Sequence, residues 1–423
     1  MKILYNIALC LAAILLLPLG MVLTLFSGKR RKTFWQRLGF QDFGVLKGLK
    51  HRPIWVHALS VGEVRSSAAL VKSLARAFPG RPVVFSTSTA TGRQTASDIL
   101  ADSCEAIFYF PYDLFPCVRR VVKAVNPALF IFVETDFWPN MLWALQKHGT
   151  PVLWANARLS ESSLKGYGKL NFALKGVFGA ISAFAVSSPL QKQRFESLEI
   201  DSGKIVVTGN TKFDQPEPRP DAALTEAVRR VAGGRSIIVA GSTHPGEEEI
   251  LLACLEELSQ QGIMPLLAVA PRDIKRAGAL CALFSQAGAA LLKQVQKAGP
   301  EIKVLVADEL GKLNSLYSVA DACFVGGSMV PEGGHNPIEP AALGKATVFG
   351  PHMEDFLEVA DLLVRERAAI QAADAKSLCR ALALFVTVPE KAAQIGGRAK
   401  MVKEQNQGAV EKTVALAGRL LTK

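Results

Sequence analysis

Ala322-Cys323-Phe324-Val325-Gly326-Gly327-Ser328-Met329-Val330-Pro331-Glu332-Gly333-Gly334-His335-Asn336-Pro337-Ile338-Glu339-Pro340-Ala341-Ala342 runs from an apolar strand through a glycine-rich turn into a helix start. The four apolar residues have the uninterrupted character of a strand buried on both faces. The glycines permit close backbone approach, and Pro337 suits a first helical turn, whose N–H groups point outward toward an anion. A phosphate site fits this pattern, with Glu339 one turn into the helix and placed to accept hydrogen bonds from a ribose. A purely structural loop closed by a helix-starting Glu-Pro fits the glycines alone equally well.

The surrounding chain repeats the same unit. Ile54 to Ala58, Val83 to Ser86, Ile107 to Phe110, Leu129 to Val133, Val152 to Ala155, Phe184 to Val186 and Ile205 to Thr208 are short apolar runs separated by helical patterns. This is the rhythm of a parallel α/β layer. A Pro-rich acidic connector at 214–221 breaks it, and it restarts with Ile237 to Ala240, Leu266 to Ala270, Val304 to Ala307, Ala322 to Val325 and Thr347 to Phe349. The expected fold class is therefore α/β, with two Rossmann-like domains facing a cleft and ligands at the carboxyl ends of the strands. The expected boundaries are 1–32 for a membrane anchor and its basic flank, 33–213 and 222–389 for the two domains, 214–221 for the linker, and 390–423 for a helical tail that packs back on the first domain.

A chain of 423 residues, 49% hydrophobic and 20% charged, is long enough to bury two cores. Its net charge of +12 calls for an acidic partner. No zinc-finger spacing or aromatic-interleaved strand supports nucleic acid, and much of the basic excess lies beside an apolar segment, so an anionic membrane surface and phosphorylated ligands account for the charge better. From Ile3 to Phe26 the chain carries no charge over roughly two dozen residues, enough to span hydrocarbon as a helix. Gly28-Lys29-Arg30-Arg31-Lys32 follows. The run is too long for a cleaved signal peptide and lacks a small-residue cleavage site, which favours a retained anchor. The basic cluster then puts the body in the cytoplasm, although Pro18 and Gly20 leave room for a kinked or shallow interfacial helix. Every candidate site residue lies beyond His57, so residues 1–32 read as an anchor dispensable for chemistry. Seven dispersed cysteines and six scattered histidines suggest small core residues in a reducing compartment and no bound metal.

Several polar residues fall at strand ends. Glu63 follows the strand at Ile54 through a Ser-Val-Gly turn and opens a helix; it reads as a cleft carboxylate able to act as a base, or as an acid favoured by the helix dipole. Glu134 ends an apolar strand and precedes a polar, aromatic turn in which Trp138 reads as core packing. Ser242 and Thr243 follow the first strand of the second domain, and Arg272 ends the next, where phosphate and carboxylate would be held. Lys212 reads either as a hinge salt bridge or as a cleft cation. Residues 164–178 interleave Lys with Leu, Phe and Val, the pattern of a membrane-facing element or of an amphipathic core helix.

Ser60-Val61-Gly62-Glu63, Glu134-Thr135-Asp136-Phe137-Trp138-Pro139-Asn140, Asn156-Ala157-Arg158-Leu159-Ser160-Glu161, Gly209-Asn210-Thr211-Lys212-Phe213-Asp214, Gly241-Ser242-Thr243-His244, Ala270-Pro271-Arg272 and Gly350-Pro351-His352 stand in order along the chain. Together with the 326–342 stretch they resemble the motifs of the 3-deoxy-D-manno-octulosonic acid (Kdo) transferases of lipopolysaccharide synthesis, over nearly the whole chain. The resemblance implies a GT-B type glycosyltransferase fold and inverting transfer of Kdo from CMP-Kdo to a lipid A precursor, lipid IVA, without metal or cofactor. It makes Glu63 the catalytic base and Glu134 an acceptor-side residue. Ser242, Thr243, Arg272, Gly326, Gly327, Ser328, Gly333, Gly334, Asn336 and Glu339 become the CMP-Kdo site, with Arg272 and backbone N–H groups near Ser242 and Asn336 meeting the charge on departing CMP. The implied partners are CMP-Kdo, the lipid acceptor and anionic lipids of the bacterial inner membrane, and no nucleic acid. A nucleotide-sugar epimerase of the same architecture and a membrane-tethered, non-catalytic binding protein are the rival readings. Asp273, Ser162 and Asp355 depart from the family pattern, where His, Arg and Asn are usual.

Overall fold

The computed structural model describes residues 2–25, 28–134, 137–169, 171–217 and 219–422, with the side chains of 13, 15–32, 169 and 171–173 outside that description. The chain forms two compact units, one from residues 1–215 with 406–423 and the other from residues 216–405. The segment expected as a tail at 390–423 is thereby split: the helix Pro389–Gln405 stays with the second unit, and the helix Ala409–Leu421 joins the first.

In the first unit, strands β1 (Ile54–His57), β2 (Val83–Thr87), β3 (Ala106–Tyr109), β4 (Leu129–Val133), β5 (Val152–Ala157), β6 (Ala183–Val186) and β7 (Ile205–Val207) form one sheet in the order β3-β2-β1-β4-β5-β6-β7. All recorded pairings are parallel, with Ile54 opposite both Val83 and Leu129. Helices cover both faces, which explains why β1, β2, β4 and β5 are buried at every residue and read as unbroken apolar runs. Asp214 accepts hydrogen bonds from Gly408 N and Val410 N, 2.6 Å each, and so caps the last helix, whose own N-cap glycine has no side chain to do so. Val410, Leu416, Ala417 and Leu420 complete one face of the core.

In the second unit, β8 (Ile237–Thr243), β9 (Leu266–Pro271), β10 (Ala289–Leu291), β11 (Val304–Val306), β12 (Ala322–Val325), β13 (Thr347–Phe349) and β14 (Ile370–Gln371) form a second parallel sheet, ordered β10-β11-β9-β8-β12-β13-β14. Strand order reverses between β1 and β4 in one unit and between β8 and β12 in the other. Such switch points open a crevice at the carboxyl ends of the strands.

Three expectations change. The helix Lys2–Leu25 is present, but among the described residues no helix is long and apolar enough to cross a membrane; the side chains of 15–32, on which the anchor and its basic flank depend, lie outside the description. In the helices Glu161–Lys169 and Asn171–Phe178, Val177 and Phe178 are buried and Leu164, Tyr167 and Leu174 pack on the core, so these apolar residues serve the unit's interior instead of a membrane. Cys254 and Cys379 are joined as a disulfide between the helices Glu247–Gln260 and Ala375–Thr387. Their separation of 125 residues leaves no spacing signal.

Candidate active site

At the switch point of the first unit, the turn after β1 delivers Glu63 and the end of β4 delivers Glu134. Ser60 and Glu63 form a capping box on the helix Val61–Ala77: Ser60 Oγ accepts from Glu63 N, while Glu63 Oε2 accepts from Leu59 N at 2.6 Å and Ser60 N at 3.0 Å. These amides fix the carboxylate in a half-buried position. Cap and candidate base are thus the same group, and capping supplies the rigidity that a base needs.

Glu134 is 3% exposed and has a left-handed backbone, φ +66°. That conformation is uncommon for a residue with a Cβ and is over-represented at functional sites. It is held from both sides, since Glu134 N donates to Ala155 O and the Trp154 indole N–H donates to Glu134 O. The carboxylate lies between Lys212 Nζ, 3.2 Å from Oε1, and Arg158 Nη2, 3.3 Å from Oε2. Ser66 Oγ, one turn after Glu63, reaches Glu134 Oε1 at 3.3 Å. Burial pulls the Lys212 ammonium below its ordinary pKa, opposed by Glu134 and, more weakly, by Glu63, while Arg158 adds to the lowering. The unit therefore gathers two carboxylates and two cations at the carboxyl ends of its strands. Lys212 is a buried partner of Glu134, and Glu134 acts first by organising Lys212 and Arg158.

In the second unit the turn after β12 is built differently from the sequence expectation. Gly327 N, Ser328 N and Met329 N all donate to the carboxylate of Glu247, at 2.8–2.9 Å, and His244 N donates to the same group. Glu247 is wholly buried, and its carboxylate accepts from these four amides. Ser328 is also fully buried, donating to Val325 O and accepting from Gly350 N. Gly326 is required because a Cβ there would meet the Ser242 backbone at 2.6 Å, and Gly334, at φ +73°, because a Cβ would meet His352 O at 2.8 Å. Gly333 O accepts from Asp355 N. The close approaches allowed by Gly326 and Gly334, like the bonds of Gly327, Ser328 and Gly333, are with the protein's own chain. Thr243 is likewise buried, its hydroxyl bound to Glu248, which forms a two-pronged pair with Arg276. These six expected donor-site residues thus each carry internal bonds or close approaches that shape the turn.

Around that turn lie the remaining expected donor residues. Ser242 is half-buried at φ +58°, and Arg272 is exposed after β9. Asn336 Oδ1 accepts from Ile338 N and its amide reaches Glu339 Oε1 at 3.5 Å. The helix that follows, Ile338–Ala342, has only five residues, too short for an appreciable dipole. His244 and His335, absent from the sequence expectation, are stacked with Nε2 atoms 2.8 Å apart. Burial first, then Arg272 and His244, push His335 down to about 4. Their only sequence signal is their position in the glycine- and serine-bearing turns after β8 and β12. Among the described residues no group of three His, Cys, Asp or Glu side chains is arranged to hold a metal.

A 3-deoxy-D-manno-octulosonic acid transferase of Haemophilus influenzae is 30% identical to this chain over 399 residues, covering 93% of each. The chain belongs to the 3-deoxy-D-manno-octulosonic acid transferase family. A family model described as 3-Deoxy-D-manno-octulosonic-acid transferase (kdotransferase) matches residues 32–215, the part holding Glu63, Glu134, Arg158 and Lys212. Among solved structures, a glycosyltransferase from Rickettsia africae ESF-5 superposes with a TM-score of 0.60 at 15% identity, covering 88% of this chain and 99% of that one. A UDP-GlcNAc 2-epimerase from Neisseria meningitidis bound to UDP-GlcNAc gives 0.57 at 12% identity over the same shares. At such identities the likeness concerns the fold alone: two parallel-sheet α/β units of the GT-B kind, shared with that glycosyltransferase and that epimerase.

Proposed function

We propose that this chain is an inverting glycosyltransferase that moves Kdo from CMP-Kdo to a hydroxyl of a lipid A precursor, lipid IVA, in lipopolysaccharide synthesis. The acceptor oxygen attacks the anomeric carbon of Kdo, the carbon–oxygen bond to CMP breaks, CMP leaves with the electron pair, and Glu63 takes the acceptor proton. Kinship over 93% of the chain with the Haemophilus influenzae enzyme carries this reading. Glu63 supports it as a carboxylate fixed by two amides beside the Glu134 cluster. In the second unit, Arg272, Ser242, Asn336 and Glu339 join the 326–334 turn, held by Glu247, as the groups proposed to meet CMP-Kdo. An epimerase shares the fold, but that likeness reaches no chemistry at 12% identity.

The N-terminal helix belongs to the same proposal as the attachment to the inner membrane, with the body on the cytoplasmic side. Ile3, Leu4, Ile7, Leu11 and Ile14 are exposed along it, and four basic residues follow at 29–32. The test is to incubate the full chain with CMP-Kdo and tetraacyl lipid A precursor and to weigh the lipid. Addition of one or more Kdo residues is expected; an unchanged lipid mass sinks the reading.

A further inference from the structure

The helix Lys2–Leu25 is fastened to the acceptor-side unit by polar contacts that an anchor alone does not require. The helix Pro139–His148, which begins a few residues after Glu134, receives no side-chain cap from its own N-cap, Trp138, and has no acid in its first turn. Asp113, in the loop after β3, supplies the cap: Oδ2 accepts from Asn140 N at 3.0 Å and Oδ1 from Met141 N at 2.9 Å. Asp113 and Asn140 are both buried. Asn140 Nδ2 also donates to Asp113 O at 2.6 Å, and further partners come from the N-terminus. Tyr5 Oη donates to Asp113 Oδ2 at 2.8 Å, and the amides of Asn6 and Asn140 exchange hydrogen bonds of 2.9 Å in both directions. Tyr5 packs edge-on against Trp143, centroids 5.8 Å apart, and Lys2 Nζ lies 5.6 Å from the Trp143 ring centroid.

From this network, and building on the transferase reading above, we infer that Tyr5 and Asn6 are positioning residues of the acceptor side, coupling the N-terminal helix to the start of Pro139–His148 and through it to Glu134. The polar side of the helix holds the unit while Ile3, Leu4, Ile7 and Leu11 remain exposed to a lipid surface. On this inference residues 1–32 contribute to chemistry and are not a dispensable anchor.

Tyr5→Phe and Asn6→Ala, singly and together in the full chain, test it in detergent-dispersed acceptor. The double variant should raise the acceptor KM by about three- to tenfold, the equivalent of one hydrogen bond, with the CMP-Kdo KM and the melting temperature nearly unchanged. A merely structural loss would lower the active fraction and leave both KM values in place. Amide exchange at Asn140 and Met141 should quicken, a readout independent of activity. Unmoved exchange and an unmoved acceptor KM in an active protein overturn the inference alone, whereas a wild type that transfers no Kdo overturns the transferase reading. Tyr5→Phe removes one oxygen and preserves the ring packing, so it serves if the double variant fails to fold.

Discussion

Lys212 and Glu134 form an ion pair in the interior of the first unit, Nζ 3.2 Å from Oε1, with the side chains 11% and 4% exposed. Arg158 is the third member, more exposed and on the other carboxylate oxygen. Removing the shared anion leaves two cations facing each other, while removing Lys212 leaves a pair. Glu134→Gln should therefore destabilise by about 3–5 kcal/mol, as expected for breaking a buried pair, and Lys212→Met by less. The double variant should cost less than the sum. Urea unfolding of the four proteins checks this, and strict additivity would refute the coupling.

Glu63→Gln should abolish transfer while keeping the fold. The Gln carbonyl oxygen can still accept from Leu59 N and Ser60 N, so the cap persists, but the amide takes no proton. A loss of roughly a hundredfold or more in kcat is expected from removing a general base, with CMP binding measured by calorimetry unchanged. Near-normal turnover would reduce Glu63 to its capping role.

Glu247 and Arg272 separate scaffold from ligand contact in the second unit. Glu247→Ala strips four amides of their acceptor in a buried site, and each unmatched N–H costs about 1–3 kcal/mol. Stability and CMP affinity should fall together. Arg272 is exposed, so Arg272→Ala should leave stability alone and weaken CMP binding by about 1.5–3 kcal/mol, a charge-assisted hydrogen bond. Unchanged CMP affinity in calorimetry would move Arg272 out of the donor site.

Local signals made most strands legible: Leu129–Val133 reads as a buried strand from its own composition, and Ser60 with Glu63 as a helix start, whereas the short edge strands β10 and β14 give no such signal. Partners distant in sequence were not. Glu247 looks like one acid among three at a helix start, because three of the four amides it serves lie some eighty residues on. The glycines at 326–334 read as ligand approaches, since a tight crossing against Ser242 or His352 leaves the same mark. Tyr5 and Asn6 were absorbed into an apolar run, where two polar residues carry little weight until their partners Asp113 and Asn140 are known. Residues 164–178 have the spacing of either a membrane face or a core face, and only packing separates the two.

Asp113 gives a pH test of the cap that Tyr5 completes. Burial pushes its carboxyl up from 3.8 to about 6, against the opposing pull of the Asn140 and Met141 amides and the Tyr5 hydroxyl. A carboxyl whose pKa is raised on folding binds more protons in the native state between those values. Its contribution is complete below about pH 3.8 and is lost as pH rises through about 6. The shift of about two units corresponds to about 3 kcal/mol, as an order of magnitude. Asp113→Asn cannot titrate, so the stability of the wild type relative to this variant should fall by that amount between about pH 4 and pH 7. Urea midpoints of both proteins across this range measure it. A difference that stays flat, or grows with pH, would mean that Asp113 is ionised in the fold throughout, with its amide donors outweighing burial.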